Sequence, residues 1–472
     1  MIFLNIKLLI YLINTLLILW FIFYQNKDYR NSIKWLLFFL LIPLFSFVIY
    51  YFLGQGIKVN KKKYLTVEQR INNIFSLKSD NKKCTNYSLE KLINTNISLK
   101  ASQITFYNDI YYFLDGDSYY SSLINDIKLA KSSIHIEIYI FRDDDFGETI
   151  MDILLQKAIE GIKVKLLYDP NGNLLNKRGF LKKYKHPNLK IVKYYPSYYQ
   201  IRNYNYRNHR KIIVIDGKIA YLGGFNFGVE YLSEDDKVSP FRDTQMKIKG
   251  EGVYELQRQF LIDFYYAYSL IHPFVDVDVN LSDIVLYKEE KKKVPMQFIS
   301  TSYFVRENVK RSKLKLLSYA KKEVYIQTPY LILDVVMMEQ IKLLLLSGVK
   351  VNIMIPLKYD KKIPYCASLA CARELYNLGA KIYLYEGFIH SKVIIVDDFY
   401  LVVGSSNLDV RSFSLNLETD CFIYSYNEVS RYKNIYNIDA LNSIEYSPYI
   451  EEKLFKSFKI GKRIYRLISS LM

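Results

Sequence analysis

The stretch NHRKIIVIDGKIAYLGGFNFG, residues 208–228, is answered far down the chain by IHSKVIIVDDFYLVVGSSNLDVRSFSLNLE, residues 389–418. Each sets a histidine two residues before a lysine and that lysine five before an aspartate: His209, Lys211 and Asp216, then His390, Lys392 and Asp397. The apolar runs between lysine and aspartate, Ile212 to Ile215 and Val393 to Val396, read as buried strands. Small residues and an asparagine follow, Gly223, Gly224 and Asn226 in one copy and Gly404, Ser405, Ser406 and Asn407 in the other, which suits a tight turn or a close backbone approach. Residues two apart on a strand share a face, so each lysine flanks its histidine. A histidine can attack phosphorus or move a proton, a lysine can neutralise phosphoryl oxygens, and an aspartate can align an imidazole or stabilise its protonated form. One such pair is ordinarily a charged surface patch, but identical spacing twice, leading both times into strand and turn, is poorly explained that way.

The flanking sequence repeats as well. Helical spacing in SSLINDIKLAKSS (121–133) gives way to the strand-like IHIEIYIF (134–141), then to MDILLQKAIEGI (151–162) and KVKLLYD (163–169). The same order returns in residues 305–322, 323–333, 337–349 and 350–357. The chain is therefore expected to be α/β and duplicated, with one half over 100–280 and the other over 290–472, and VDVDVNLSD (275–283) as the candidate junction. Residues 61–99 are more polar and read as a connector.

The amino end differs in character. Leu8 to Asn26 carries no formal charge, nor does Trp35 to Ile57, and each run is about the length that crosses a bilayer. Two membrane helices over 1–60 are expected, Pro43 being tolerable where neighbouring groups compensate for its missing donor. Lys58, Lys61, Lys62 and Lys63 follow the second run and favour a cytoplasmic position for the rest of the chain, with Lys27, Arg30 and Lys34 partly competing. The net charge of +18 suits an anionic partner without distinguishing nucleic acid from phospholipid. Four scattered cysteines and five histidines form no disulfide framework and leave little material for a zinc site.

On these residues the sequence resembles the phospholipase D superfamily, whose paired H-x-K-x-x-x-x-D motif matches His209 to Asp216 and His390 to Asp397. More narrowly it is similar to bacterial cardiolipin synthases, through the paired hydrophobic amino end, IHIEIYIFRDDDFG (134–147), YLGGFNFGVEY (221–231), FRDTQMKIKG (241–250), IQTPYLILD (326–334), GSSNLDVRSFSLNLE (404–418) and RIYRLISSLM (463–472). The resemblance implies two similar α/β domains around one active site, preceded by the two membrane helices, in a multi-pass protein of the bacterial cell membrane. It implies His209 as nucleophile toward a phosphatidyl phosphorus and His390 as general acid, with Lys211 and Lys392 stabilising charge. Asn226 and Asn407 would position oxygens, and Asp216 and Asp397 would support the motif halves. Glu418 matches the family glutamate that supports the first-half histidine across the domain interface. Arg242 and Asp243 are candidate structural or phosphate-orienting partners, an exposed ion pair being the alternative; Phe241 stands where the family usually has tryptophan. The implied substrates are two phosphatidylglycerols in an anionic membrane, with no cofactor, no metal and no nucleic acid.

Several alternatives remain open at this point. Water could replace the second lipid, making the chain a hydrolase, and a nuclease or a noncatalytic lipid-binding protein fits the full set of features less well. The tyrosine-rich, basic stretch IVKYYPSYYQIRNYNYRNHRK (191–211) suits a lipid surface, a packed loop or base stacking.

Overall fold

The computed structural model describes residues 2–24, 29–54, 59–76, 87–177, 179–195, 203, 205–233, 237–272 and 293–454. The junction at 275–283, residues 196–202 and 204 of the tyrosine-rich stretch, the carboxyl-terminal motif, and Lys27, Asp28 and Lys58 lie outside the described residues.

Two sheets carry the body, and they match strand for strand. The first runs in the order Asn108–Phe113, Gln245–Gly250, Ile219–Gly223, Ile212–Ile215, Ser133–Ile138, Lys163–Tyr168, Leu189–Lys193. The second runs Met296–Ser300, Thr419–Tyr424, Tyr400–Gly404, Val393–Val396, Glu323–Gln327, Lys350–Pro356, Lys381–Tyr385, and adds Ser443–Glu445 at its edge. In both, three parallel strands continue into an antiparallel set. The likeness reaches the helix caps: Asp144 accepts from the Gly147 amide and Asp334 from the Met337 amide, each at 2.8 Å, starting the helices Asp145–Ile159 and Val335–Leu346.

Helices cover the outer face of each sheet, and the inner faces share one core. Ile212, Val214, Leu222 and Met246 of the first half pack in one cluster with Val393, Ile395, Val403 and Cys421 of the second, together with the helix Gly252–Ile271. Central strands buried on both faces explain why their sequences read as unbroken apolar runs rather than alternating ones.

The stretch expected as a connector forms two helices docked into this body. Lys61–Ser76 buries Tyr64, Val67, Ile71 and Phe75 in the shared core, while Tyr87–Ser98 buries Leu89, Leu92 and Ile93 against the second half.

At the amino end, Ile6–Phe23 is long and apolar enough to cross a membrane and is mostly unburied by protein; among the described residues no other helix is. The second apolar run is not one continuous helix. Tyr29–Leu41 ends just before Pro43, Leu44 takes a left-handed φ of 61°, and a short helix Phe45–Ile49 follows. Asn14 of the first helix spans this break: its Oδ1 accepts the Leu44 amide at 3.2 Å and its Nδ2 donates to the Phe39 carbonyl at 3.3 Å.

Candidate active site

Each histidine is delivered by a short parallel ladder between the two halves. Arg207–Asn208 pairs with Asn416–Leu417, and the next residues along are His209 and Glu418. Phe388–Ile389 pairs with Phe241–Arg242, and the next residues are His390 and Asp243. The backbone continues the register, His209 N donating to Leu417 O at 2.9 Å and His390 N to Arg242 O at 2.6 Å. A parallel ladder sets residues that follow it side by side, so each half places a carboxylate against the other half's imidazole.

His209 Nδ1 lies 3.1 Å from Glu418 Oε2, and Ser405 Oγ and Asn416 Nδ2 hold the Glu418 carboxylate at 2.6 and 3.1 Å. His390 Nδ1 lies 2.6 Å from Asp243 Oδ2, whose other oxygen accepts the Thr244 amide at 2.7 Å. The halves differ in how the carboxylate is held. Gly224 occupies the place that Ser405 fills in the second half, and a Cβ there would stand 2.2 Å from the Asp243 carboxylate. The carboxylates commit both Nδ1 atoms and so assign each Nε2 the free lone pair of the neutral ring. Tyr139 packs on the His209 ring at 4.9 Å between centroids, while Phe241 and Phe388 flank His390 at 5.6 and 5.7 Å.

Both lysines are buried beside these rings. Lys211 Nζ donates to the His209 carbonyl at 2.8 Å, and Lys392 Nζ donates to the His390 carbonyl. With His390 Nδ1 engaged by Asp243, the 2.9 Å approach of Lys392 Nζ to the same nitrogen is contact between charge and ring rather than a second hydrogen bond. Burial pulls Lys211 down to about 7, with Glu418 opposing and Lys392 reinforcing; it pulls Lys392 down to about 8 against Asp243. His209 is lowered by burial despite Glu418, and His390 falls to about 4 through burial and Lys392. Burial pushes Glu418 and Asp243 upward, yet the cations outweigh it and both stay below the usual carboxylate range. The site is a pocket of ammonium groups around two neutral imidazoles, fitted to a phosphodiester anion that would relieve the repulsion between the lysines.

Other candidate residues fall elsewhere. The aspartates do not align the imidazoles, as their spacing suggested. Seven residues of extended chain carry Asp216 and Asp397 roughly 20 Å along from the histidines, to turns where they adopt φ of 53° and 52°. Asp216 accepts the amides of Lys131, Ser132 and Ser133 at 2.8, 2.7 and 3.0 Å; Asp397 accepts those of Lys321, Lys322 and Glu323 at 2.9, 2.8 and 3.0 Å. Each ties the start of its half's central strand to the hairpin turn. Asn226 bonds to Tyr231 Oη and the Ile140 amide, and Asn407 Nδ2 to Asp409; neither hydrogen-bonds a histidine among the described residues. Among the described residues Asn407 Oδ1 is buried without a hydrogen-bond partner.

Arg242 and Asp243 are buried rather than an exposed pair, and they serve different partners. While Asp243 meets His390, Arg242 forks onto Asp439 at 3.1 and 2.8 Å and reaches Thr244 Oγ1 and Ser391 Oγ at 3.0 and 2.8 Å. Its counterpart is a residue not singled out in the sequence, Arg210, which binds Asp263 at 2.5 Å and Thr419 Oγ1 at 3.0 Å. Thr244 and Thr419 are equivalent positions, each directly after its carboxylate. Both guanidinium sites are thus filled from the first half, from different sequence positions, and the small Ser391 opposite Arg210 in the motif leaves room for Arg242. The signal for Asp263 and Asp439 was a carboxylate on the buried side of a helix.

The family described as "Cardiolipin synthase, PLD-like domain" matches residues 123–246 and 314–439. A cardiolipin synthase of Clostridium perfringens is 36% identical over 461 residues, covering 95% of each chain, and one of Listeria innocua is 34% identical over 465 residues, covering 96% of this chain and 95% of its own. Among solved structures, the phosphatidylserine synthase of Haemophilus influenzae aligns over 81% of this chain and 100% of its own with a TM-score of 0.58 at 17% identity, a likeness of fold. With two matched domains carrying paired motifs, and relatives alike along nearly the whole length, the chain belongs to the phospholipase D-like cardiolipin synthase family.

Proposed function

We propose that this phosphatidyltransferase joins two phosphatidylglycerols into cardiolipin, with His209 as nucleophile and His390 as the proton carrier. His209 Nε2 attacks the phosphorus of the first lipid; the bond from phosphorus to the glycerol oxygen breaks, and His390 gives that oxygen a proton so that glycerol leaves. His390 then takes the proton from a hydroxyl of the second lipid's headgroup. That oxygen attacks phosphorus, the phosphorus–nitrogen bond breaks, and cardiolipin and the free His209 result. Lys211 and Lys392 offset the charge that builds on the phosphoryl oxygens in both steps. His390 is neutral at rest, held down by burial and then by the Lys392 charge; the arriving phosphodiester offsets that charge and favours uptake of the proton that His390 donates.

The single observation that carries this reading is the crossed pairing of His209 with Glu418 and His390 with Asp243, which makes two half-sites into one. The experiment is product analysis. Purified protein in phosphatidylglycerol vesicles, without nucleotide, yields cardiolipin and glycerol in equal amounts; phosphatidic acid as the sole lipid product would establish hydrolysis instead.

The same reading places the chain in the bacterial cell membrane as a two-pass protein with its body on the cytoplasmic side. Support comes from Phe21 of the first helix, which packs on Phe39 and Tyr50 of the second apolar run at 5.1 and 5.2 Å, and from the lysines 61–63 at the entry to the body.

A further inference from the structure

Large apolar side chains stand out in solvent on both sides of the active site. The loop after the strand Lys163–Tyr168 exposes Leu174 and Leu175, at 57% and 87%, and the segment after the equivalent strand Lys350–Pro356 exposes Ile363 at 68%. Both loops leave the carboxyl ends of parallel strands, the end of each sheet at which its histidine lies.

Neither loop is loose. Asn173 accepts the Phe141 amide at 2.7 Å and donates to the Tyr139 carbonyl at 3.0 Å, and Asn176 donates to the Phe141 carbonyl at 2.6 Å. The first loop is thus fixed to the residue whose ring packs on His209. On the other side Lys358 reaches the Ser239 carbonyl at 2.5 Å and Asp360 accepts the Tyr330 hydroxyl at 2.5 Å. That ties the second loop to the segment leading into Phe241 and Asp243. With their polar neighbours bonded inward, the leucines and the isoleucine are held outward.

Charge accompanies them. Lys177 is exposed beside the leucines. Lys361 and Lys362 are exposed at the start of the helix Lys362–Tyr376, which has no acidic residue in its first turn and no side-chain cap. Cations at a helix amino terminus oppose its dipole, an arrangement that an anionic surface compensates.

We propose that Leu174, Leu175 and Ile363, ringed by Lys177, Lys361 and Lys362, dock the mouth of the active site onto an anionic bilayer. The inference rests on the lipid-phosphoryl reading above and deepens it. The apolar tips enter the headgroup–acyl boundary, the lysines meet lipid phosphates, and the site between the two loops receives phosphodiesters without their leaving the membrane plane. The anchor tethers the body; the rim orients it.

The test uses the full chain in vesicles containing phosphatidylglycerol, with Cys84→Ser and a single fluorophore placed by Leu175→Cys. Shallow brominated lipid quenches this label, and quenching drops when Lys361 and Lys362 are both replaced by Glu. A label placed by Leu346→Cys, on an exposed residue at the opposite end of the sheet, is not quenched. Kinetically, Leu174→Ser, Leu175→Ser and Ile363→Ser together raise the surface density of phosphatidylglycerol needed for half-maximal rate by about tenfold, with kcat within about twofold. Equal quenching at 175 and 346, or a loss of kcat at unchanged surface dependence, would overturn the proposal. Quenching at 175 in a protein that forms no cardiolipin would leave the docking intact and remove the reaction assigned above.

Discussion

Glu418 meets His209 because a two-residue parallel ladder between the halves of the chain puts them in register, with 3.1 Å between Oε2 and Nδ1. The same device, with the halves exchanged, sets Asp243 2.6 Å from His390. Neither half owns both members of a histidine–carboxylate pair, so the site depends on the fold that joins them.

Glu418→Gln keeps the size of the side chain but presents the wrong partner to Nδ1, and the ring loses its fixed tautomer. The expected result is a fall in kcat of about 10²–10⁴-fold with little change in KM. With labelled phosphatidylglycerol, trapping the acid-labile phosphohistidine should show little intermediate in this variant and none in His209→Ala. Label found on His390 would exchange the roles of the two histidines.

Much of this arrangement could be read from the residues alone. Identical spacing and unbroken apolar runs exposed the duplication, because a strand buried on both faces leaves that pattern. Glu418 was reachable only through resemblance: nothing local marks one glutamate after a polar run as the partner of a residue 209 positions away. Arg242 and Asp439, 197 apart, share the same obscurity, since pairing across the domain interface leaves no periodic trace. Asp216 misled because its distance from His209 is regular; regularity there reflects the length of a hairpin arm. The helices at 61–76 and 87–98 hid behind their polar faces, which cover a few well-spaced apolar residues.

The lysines give the site a pH dependence with a definite sign. In the proposed reaction His209 attacks as the neutral ring, so kcat/KM is expected to rise with pH until that group, held below its ordinary value by burial, has lost its proton. The same proposal has Lys211 and Lys392 act as cations, and in the free enzyme burial brings them down to about 7 and about 8. The alkaline limb of kcat/KM therefore begins near neutrality, and in kcat it moves upward because bound phosphodiester favours the charged amines. Lys211→Arg, with a side chain that stays protonated, should lower the maximum yet extend the alkaline limb. An unshifted limb in that variant would remove Lys211 from the titration.

Asp216 belongs to stability rather than to turnover. Its carboxylate receives three backbone amides and the Ser132 hydroxyl, and these outweigh burial to hold it below the usual range. Asp216→Ala leaves the exposed donors of Lys131 and Ser132 to water and the Ser133 amide without its carboxylate, at a cost of about 1 kcal/mol, with kcat at saturating lipid unchanged. A group lowered on folding stabilises above its unfolded value and loses that contribution as pH falls through the folded one. The gap in thermal midpoint between wild type and variant should therefore be full at pH 7 and close below about pH 4. A large loss of kcat without a change of midpoint would return Asp216 to the catalytic group.

Asn14 is a polar residue in the middle of an apolar helix, and its cost there is explained by what it repairs. The Pro43 ring stops the helix Tyr29–Leu41 and frees backbone groups that, in the two-pass arrangement proposed above, water would not reach. Asn14 accepts the Leu44 amide and donates to the Phe39 carbonyl, so the break and the asparagine form one unit. Asn14→Leu should weaken the packing of the two apolar segments by about 1 kcal/mol, read as slower disulfide formation between cysteines placed at Phe21 and Phe39, whose rings lie 5.1 Å apart. Pro43→Ala restores the missing donor and allows the helix to continue, and in that background Asn14→Leu should have almost no effect. Additive losses from the two substitutions would show that Asn14 acts independently of the break.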